Sequence, residues 1–169
     1  MSRSTDDGVA PIPGSRHRLE AITLDAGSIR RGNSQIEHER EVAIYDILDA
    51  NEFALLARDD GPYKLHLAVV DDRLQFAVTG SADAAPVDVS VPLLPLRRVI
   101  KDYHLVCETY FDAVRTAPPS RIQQIDIGRR KLHDDGAAVL AEKLGGQIRM
   151  DTTTTRRLFT LVSALHWRG

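Results

Sequence analysis

Residues 63–79 read YKLHLAVVDDRLQFAVT, two runs of alternating apolar and polar side chains on either side of an aspartate pair. Successive side chains of an extended chain point to opposite faces. A two-residue turn at Asp71 and Asp72 therefore sets Leu65 opposite Val78, Leu67 opposite Phe76 and Val69 opposite Leu74, with the whole apolar set on one side. A slip of one residue would turn every one of them to water, so this stretch fixes both a hairpin and the side on which the core must lie. The other face carries Lys64, His66, Gln75, Ala77 and Thr79, which predicts a solvated His66 and not a ligand. Without a glycine in the pair, the turn type stays open.

Working outward, VDVSVPL alternates Val87, Val89 and Val91 with Asp88, Ser90 and Pro92, and a proline that cannot donate to a ladder places this strand at a sheet edge or ends it there. Upstream, RLEAITLD at 18–25 is a further strand. It is followed by a helix over about 35–50, where Ser34 and Glu37 have capping-box spacing.

Past Leu96 the apolar period changes from two to 3.6. Leu96, Val99, Ile100, Tyr103, Val106, Cys107, Tyr110, Phe111 and Val114 fall in one broad arc, which predicts the main core helix, with Tyr103 and Val106 in the core. The sequence TAPPS stops it. A third helix opens at Pro119 or Ser120 and runs to about Leu144, where a glycine pair ends it. QIRM adds a short strand, and Asp151 or Thr152 caps a last helix. Strands followed by a run of helices define an α+β fold: an antiparallel sheet of about four strands with helices packed on one face and a helical C-terminal half. Residues 1–17 have almost nothing to bury and read as a disordered tail, leaving 18–169 as a single domain.

The third helix holds the chain's densest group of charges, GRRKLHDDG at 128–136. On a helical wheel Arg130, Lys131, Asp134 and Asp135 lie outward, with Arg130 to Asp134 and Lys131 to Asp135 at i,i+4 spacing for surface ion pairs. Asp126, Arg129 and His133 instead share the arc of Ile122 and Leu140. Charges facing a core must be paired and hydrogen-bonded, so these three are either a structural network or the makings of a site. Gly128 and Gly136 weaken the helix and allow a bend near Asp135. In the C-terminal RRLFTLVSALHWRG, His166 likewise flanks an apolar stripe, while Trp167 points away from it beside Arg156 and Ser163. The ligand-binding candidates are Asp126, Arg129, His133 and His166.

Composition narrows the classes further. Twenty-two Lys and Arg against 24 Asp and Glu give a net charge of −2, so no global positive field draws the chain to nucleic acid or to anionic lipid. The single cysteine, Cys107, excludes an intramolecular disulfide and sits mid-arc as an inert hydrophobe. His38 and Glu41, one turn apart, fall short of a metal site, and no metal or other cofactor is expected. No apolar run spans a bilayer, and a cytoplasmic location follows. No phosphate-cradling loop or nucleophile motif occurs.

Taken together, IEHER, GPYKLHL, RRVIKDY, IDIGRRKLH and RRLFTLVSALHWRG resemble uncharacterised protein family 0262, over roughly residues 19–169. The resemblance implies a small, single-domain bacterial protein and carries over no activity, cofactor or site residue. The expected function is a non-enzymatic regulatory or protein-interaction domain, acting through a protein partner or self-association. Trp167 and the edge strand at 87–92 point to a homodimer. The alternative is an enzyme or binding domain for a small anionic or phosphorylated ligand, with Arg129 holding charge and His133 with Asp126 as an oriented acid/base pair.

Overall fold

The computed structural model describes residues 15–165. In chain order the elements are β1 (Leu19–Leu24), α1 (Ser34–Asp49), β2 (Phe53–Leu55), β3 (Tyr63–Val70), β4 (Arg73–Thr79), β5 (Val87–Pro92), α2 (Leu93–Thr116), α3 (Pro119–Leu144), β6 (Ile148–Met150) and α4 (Thr152–Leu165). The architecture is α+β with a helical C-terminal half.

The hairpin register is the one the alternation dictates: Leu65 pairs with Val78, Leu67 with Phe76 and Val69 with Leu74. Asp71 and Asp72 both have positive φ, 51° and 60°, the left-handed pair of a type I′ turn, whose twist matches that of the strands it joins. Leu65, Leu67, Leu74, Phe76 and Val78 are buried, Val69 packs against them, and His66 is exposed as expected.

The four-stranded sheet runs β1-β3-β4-β5, which puts the proline-bearing β5 at an edge. The sheet is mixed, because β1 pairs parallel to β3. Alternation specifies which face a strand buries and says nothing of its direction. α1 supplies the crossover that a parallel neighbour requires. A second, two-stranded sheet pairs β2 with β6, so the predicted QIRM strand joins FAL at 53–55 and not the main sheet. Buried Asn51, just past α1, locks this corner: it accepts from the Leu19 amide at 2.7 Å and donates to the carbonyls of Leu19 and Ile47.

Residues 15–17, expected to belong to the loose tail, are tied in. The Phe53 amide donates to the His17 carbonyl at 2.9 Å, and Arg16 pairs with Asp59. The cap of α1 is Asn33, whose side chain accepts from the Ile36 amide, in place of Ser34. Glu37 reaches back past it to the Gly32 amide.

The largest departure concerns which helix is central. α4 is buried nearly all round, through Leu158, Phe159, Leu161, Val162, Ser163 and Ala164, and packs between α1 and α3. α2 begins directly after Pro92, where the Leu93 amide donates to the Asp72 carbonyl. It buries Leu93, Leu96 and Ile100, but only Ala113 beyond them. At 1.5 Å per residue its 24 residues span about 36 Å, longer than any strand beneath it. Its distal half therefore leaves the sheet and pairs with α3 alone. Tyr103 packs on the core, whereas Val106 is half-buried and outside it. The apolar arc marks what α2 can bury, not how much of it meets a partner.

Candidate functional site

α3 starts at Pro119, pre-set for a first helical turn, and continues unbroken to Leu144. Gly136 does not interrupt it. It lies so close to Phe159 of α4 that a Cβ there would enter the ring. The close approach brings the polar arc of α3 against α2 and α4.

Two of the inward residues pair directly. Arg129 donates to Asp126 Oδ1 from Nε at 3.1 Å and from a terminal nitrogen at 2.5 Å, while Arg130 takes the other carboxylate oxygen at 2.9 Å. Arg130 is thus drawn back to Asp126 and not forward to Asp134, which instead meets Arg156 of α4 at 3.2 Å. Lys131 and Asp135 form the expected surface pair. The Arg129 guanidinium lies 4.6 Å from the centroid of the Tyr110 ring, a cation–π contact. Burial acts against the Arg129 charge, yet the hydrogen bond and charge of Asp126 outweigh it and hold the group above its usual range.

His133 joins neither. Its ring packs edge-on between Tyr103 and Phe159, with centroids 5.3 and 5.2 Å away, and Nε2 lies 2.7 Å from Thr160 Oγ1. Burial, aided by the Arg156 charge, lowers its pKa below 6.5 and favours a neutral ring at pH 7. The Asp126–His133 acid/base pair of the alternative reading is therefore not formed: Asp126 is taken by two arginines of its own helix and His133 by Thr160 of α4. Burial, with Cys107 beside it, pushes the Tyr103 phenol up to about 12. His166 and Trp167 lie outside the described residues.

Sequence reasoning missed Arg40. Its buried side chain donates from Nε to the Ala164 carbonyl at 3.1 Å, from a terminal nitrogen to the Arg30 carbonyl at 2.9 Å, and pairs with Glu37 at 2.9 Å. The signal was present: Arg40 falls on the same helical stripe as Ile36, Ala43 and Ile47.

Of these charged side chains Arg129 borders an open groove, and Asp126, His133 and Arg40 do not line it. The groove is long, about 1400 Å³, and lies between α1 and α2. α1 packs on α4 and α2 on α3, so the first and last helices of this layer leave a trough between them. Ala43, Ile100, Tyr103, Cys107 and Ala164 line it, with Arg129 and Thr160. Cys107 is half-buried there, and burial pushes its thiol up, towards the unreactive form. Large apolar side chains stand exposed along the rims: Val42 at 43%, Leu94 at 76%, Leu105 at 53% and Phe111 at 65%. No helix of the described residues is long and apolar enough to cross a membrane, and no group of three or more metal-ligating side chains occurs among them.

An α+β domain with a protruding α2–α3 hairpin and an open groove beside it is thus the class that fold and site define. The model of the uncharacterised protein family UPF0262 matches residues 16–168. A UPF0262 protein of Nitrobacter winogradskyi is 47% identical over 155 residues, 92% of this chain and 93% of the relative. Those of Nitrobacter hamburgensis and of Rhodopseudomonas palustris are 46% and 47% identical, covering 94% and 92% of this chain and 97% and 95% of their own. The chain belongs to the UPF0262 family. No solved structure matches it.

Proposed function

We infer that the chain is a non-enzymatic interaction domain of the bacterial cytoplasm, and that it docks a protein through the groove between α1 and α2. The observation that carries this reading is the row of exposed Val42, Leu94, Leu105 and Phe111 along that groove. Folded chains seldom leave large apolar side chains contiguous and wet unless something covers them. The α2–α3 hairpin supports it too, since a helix whose apolar arc exceeds what its single neighbour covers is built to meet another surface. The polar cluster favours the same reading over a small anionic ligand. The Arg129 fork is filled by Asp126, and His133 is held by Thr160 between two rings.

The test is a folded variant with the α2 rim spoiled, Leu105→Glu with Phe111→Glu, compared with the parent in affinity capture from the native lysate. Loss of the captured protein, with an unchanged circular dichroism spectrum, is the expected result. An unchanged capture, or a small molecule retained by the parent and lost with Arg129→Ala, refutes it.

A further inference from the structure

The directions of the helices show where α4 leads. Arg157 of α4 reaches the carbonyls of Asp46 and Ala50, while the Ala164 carbonyl meets Arg40, so α4 runs antiparallel to α1. Against α3, Thr155 borders a small hollow with Ala141 and Gly145, and Thr160 lies on His133. Against α2, α3 sets His133 on Tyr103 and Arg129 on Tyr110. Both of these pairings are antiparallel, so α4 and α2 point the same way, with the Phe159 and Tyr103 rings side by side at 5.9 Å between centroids. One turn further on, Ser163 and Ala164 line the groove with Cys107. The next turn leads to Phe111 of α2 and Ile36 of α1, the residues at which the two walls end.

Four residues of the chain follow Leu165, His166 to Gly169, and they start at that end of the groove. Arg156, Thr160, Ser163 and Trp167 have the spacing of one helical stripe, and Thr160 and Ser163 of that stripe line the groove. No helix breaker precedes Gly169, and Arg168 suits the last turn of a helix. Helical side chains lean back towards the N-terminus, so Trp167 of a continued α4 comes over the turn between Cys107 and Phe111. The charges at this end fit the segment as well. Arg129 is taken by Asp126, whereas Glu39 and Glu108, one on each wall, enter no ion pair among the described residues, and the segment brings the cation Arg168. We propose that α4 continues past Leu165 and that Trp167 seats in this end of the groove, against Phe111. The proposal goes beyond the docking reading and does not depend on it. Leu94 lies 17 residues back along α2, about 25 Å away, so the four residues leave that end of the groove open to a protein, with Trp167 as its far wall.

Trp167 is the chain's single tryptophan, so intrinsic fluorescence reports on this one residue. The folded parent is expected to emit well to the blue of the urea-unfolded chain, and to be quenched by acrylamide several-fold more slowly. Phe111→Ala should move the emission towards that of the unfolded chain. Phe111 is largely exposed among the described residues, so its loss leaves the core intact. Val70→Ala, which removes an exposed apolar side chain outside the groove, should leave the emission where it is. The second readout is Cys107, the only cysteine, beside the proposed seat. Trp167→Ala is expected to raise its rate of alkylation several-fold, with an unchanged circular dichroism spectrum.

A folded parent whose emission and quenching match those of the unfolded chain overturns the proposal, since Trp167 is then in water. So does a shielded tryptophan indifferent to Phe111→Ala, or a Cys107 whose alkylation is unchanged by Trp167→Ala, because the indole then packs on another face. An emission that moves to the red on dilution of the parent also overturns it, in favour of a second copy as the source of the cover. None of these measurements uses a lysate. Loss of protein capture in Leu105→Glu with Phe111→Glu therefore stands or fails separately, and a failure of the docking reading is told apart from a failure of the seat for Trp167.

Discussion

His133 Nε2 lies 2.7 Å from Thr160 Oγ1, and that hydroxyl donates onward to the Arg156 carbonyl at 3.2 Å. Because the hydroxyl proton is committed to the carbonyl, His133 is the donor to Thr160 and carries its proton on Nε2. Protonating Nδ1 as well would place a charge between Tyr103 and Phe159 with burial against it. The folded pKa is therefore below the unfolded value of 6.5. The unfolded chain then binds the proton first as pH falls, so stability is full at neutral pH and declines from about 6.5 down to the folded pKa, below which it levels off. Thermal melts from neutral to mildly acid pH are expected to show this decline, and His133→Gln to flatten it.

Asp126 is held by two cations, and this makes the effects of losing them non-additive. Arg129→Ala leaves Arg130 on the carboxylate and is expected to cost about 1 kcal/mol, while Arg130→Ala costs less, since its side chain is largely exposed. The double substitution strands a mostly buried carboxylate and exceeds the sum of the two. Urea denaturation of the three variants measures the coupling; strict additivity would count against shared custody of Asp126.

The two glycines that bracket RRKLHDD should respond with opposite sign. Gly136→Ala forces a methyl into the ring of Phe159, an overpacking expected to cost about 1–3 kcal/mol. Gly128 has nothing within 4 Å of where a Cβ would stand, so Gly128→Ala gains about 0.5–1 kcal/mol in helix propensity. Melting temperatures of the two variants, one below the parent and one above, check the prediction.

Arg40 ties the middle of α1 to the end of α4 through the Ala164 carbonyl and to the preceding loop through Arg30. Arg40→Met keeps the buried stem but abandons two carbonyls and Glu37, and is expected to cost about 3 kcal/mol. Lysine cannot reproduce the fork and should recover little of it. Hydrogen exchange in Arg40→Met should quicken first in the C-terminal turn of α4, where the lost bond sat.

Much of this molecule is legible in the chain. The alternation at 63–79 specifies the hairpin and its buried face without reference to any other segment, because a one-residue slip exposes the entire apolar set. The helix starts at Pro119 and Asp151 are equally local, one set by the fixed φ of proline and the other by a capping carboxylate. Asp126, Arg129 and His133 were legible as inward-facing charges, since a wheel gives direction. It does not give partners, and His133 met Thr160, 27 residues away, instead of Asp126.

The sequence by itself determined which residues turn inward, because burial and capping act over a few neighbouring positions. Only the tertiary structure decided what they turn towards: that β1 joins β3 in parallel, that α4 and not α2 is the central helix, and that α1 and α2 stand apart with a groove between them. Those outcomes depend on the relative placement of elements distant in the chain, and a helix's periodicity is the same whether its apolar arc meets a sheet, a second helix or water.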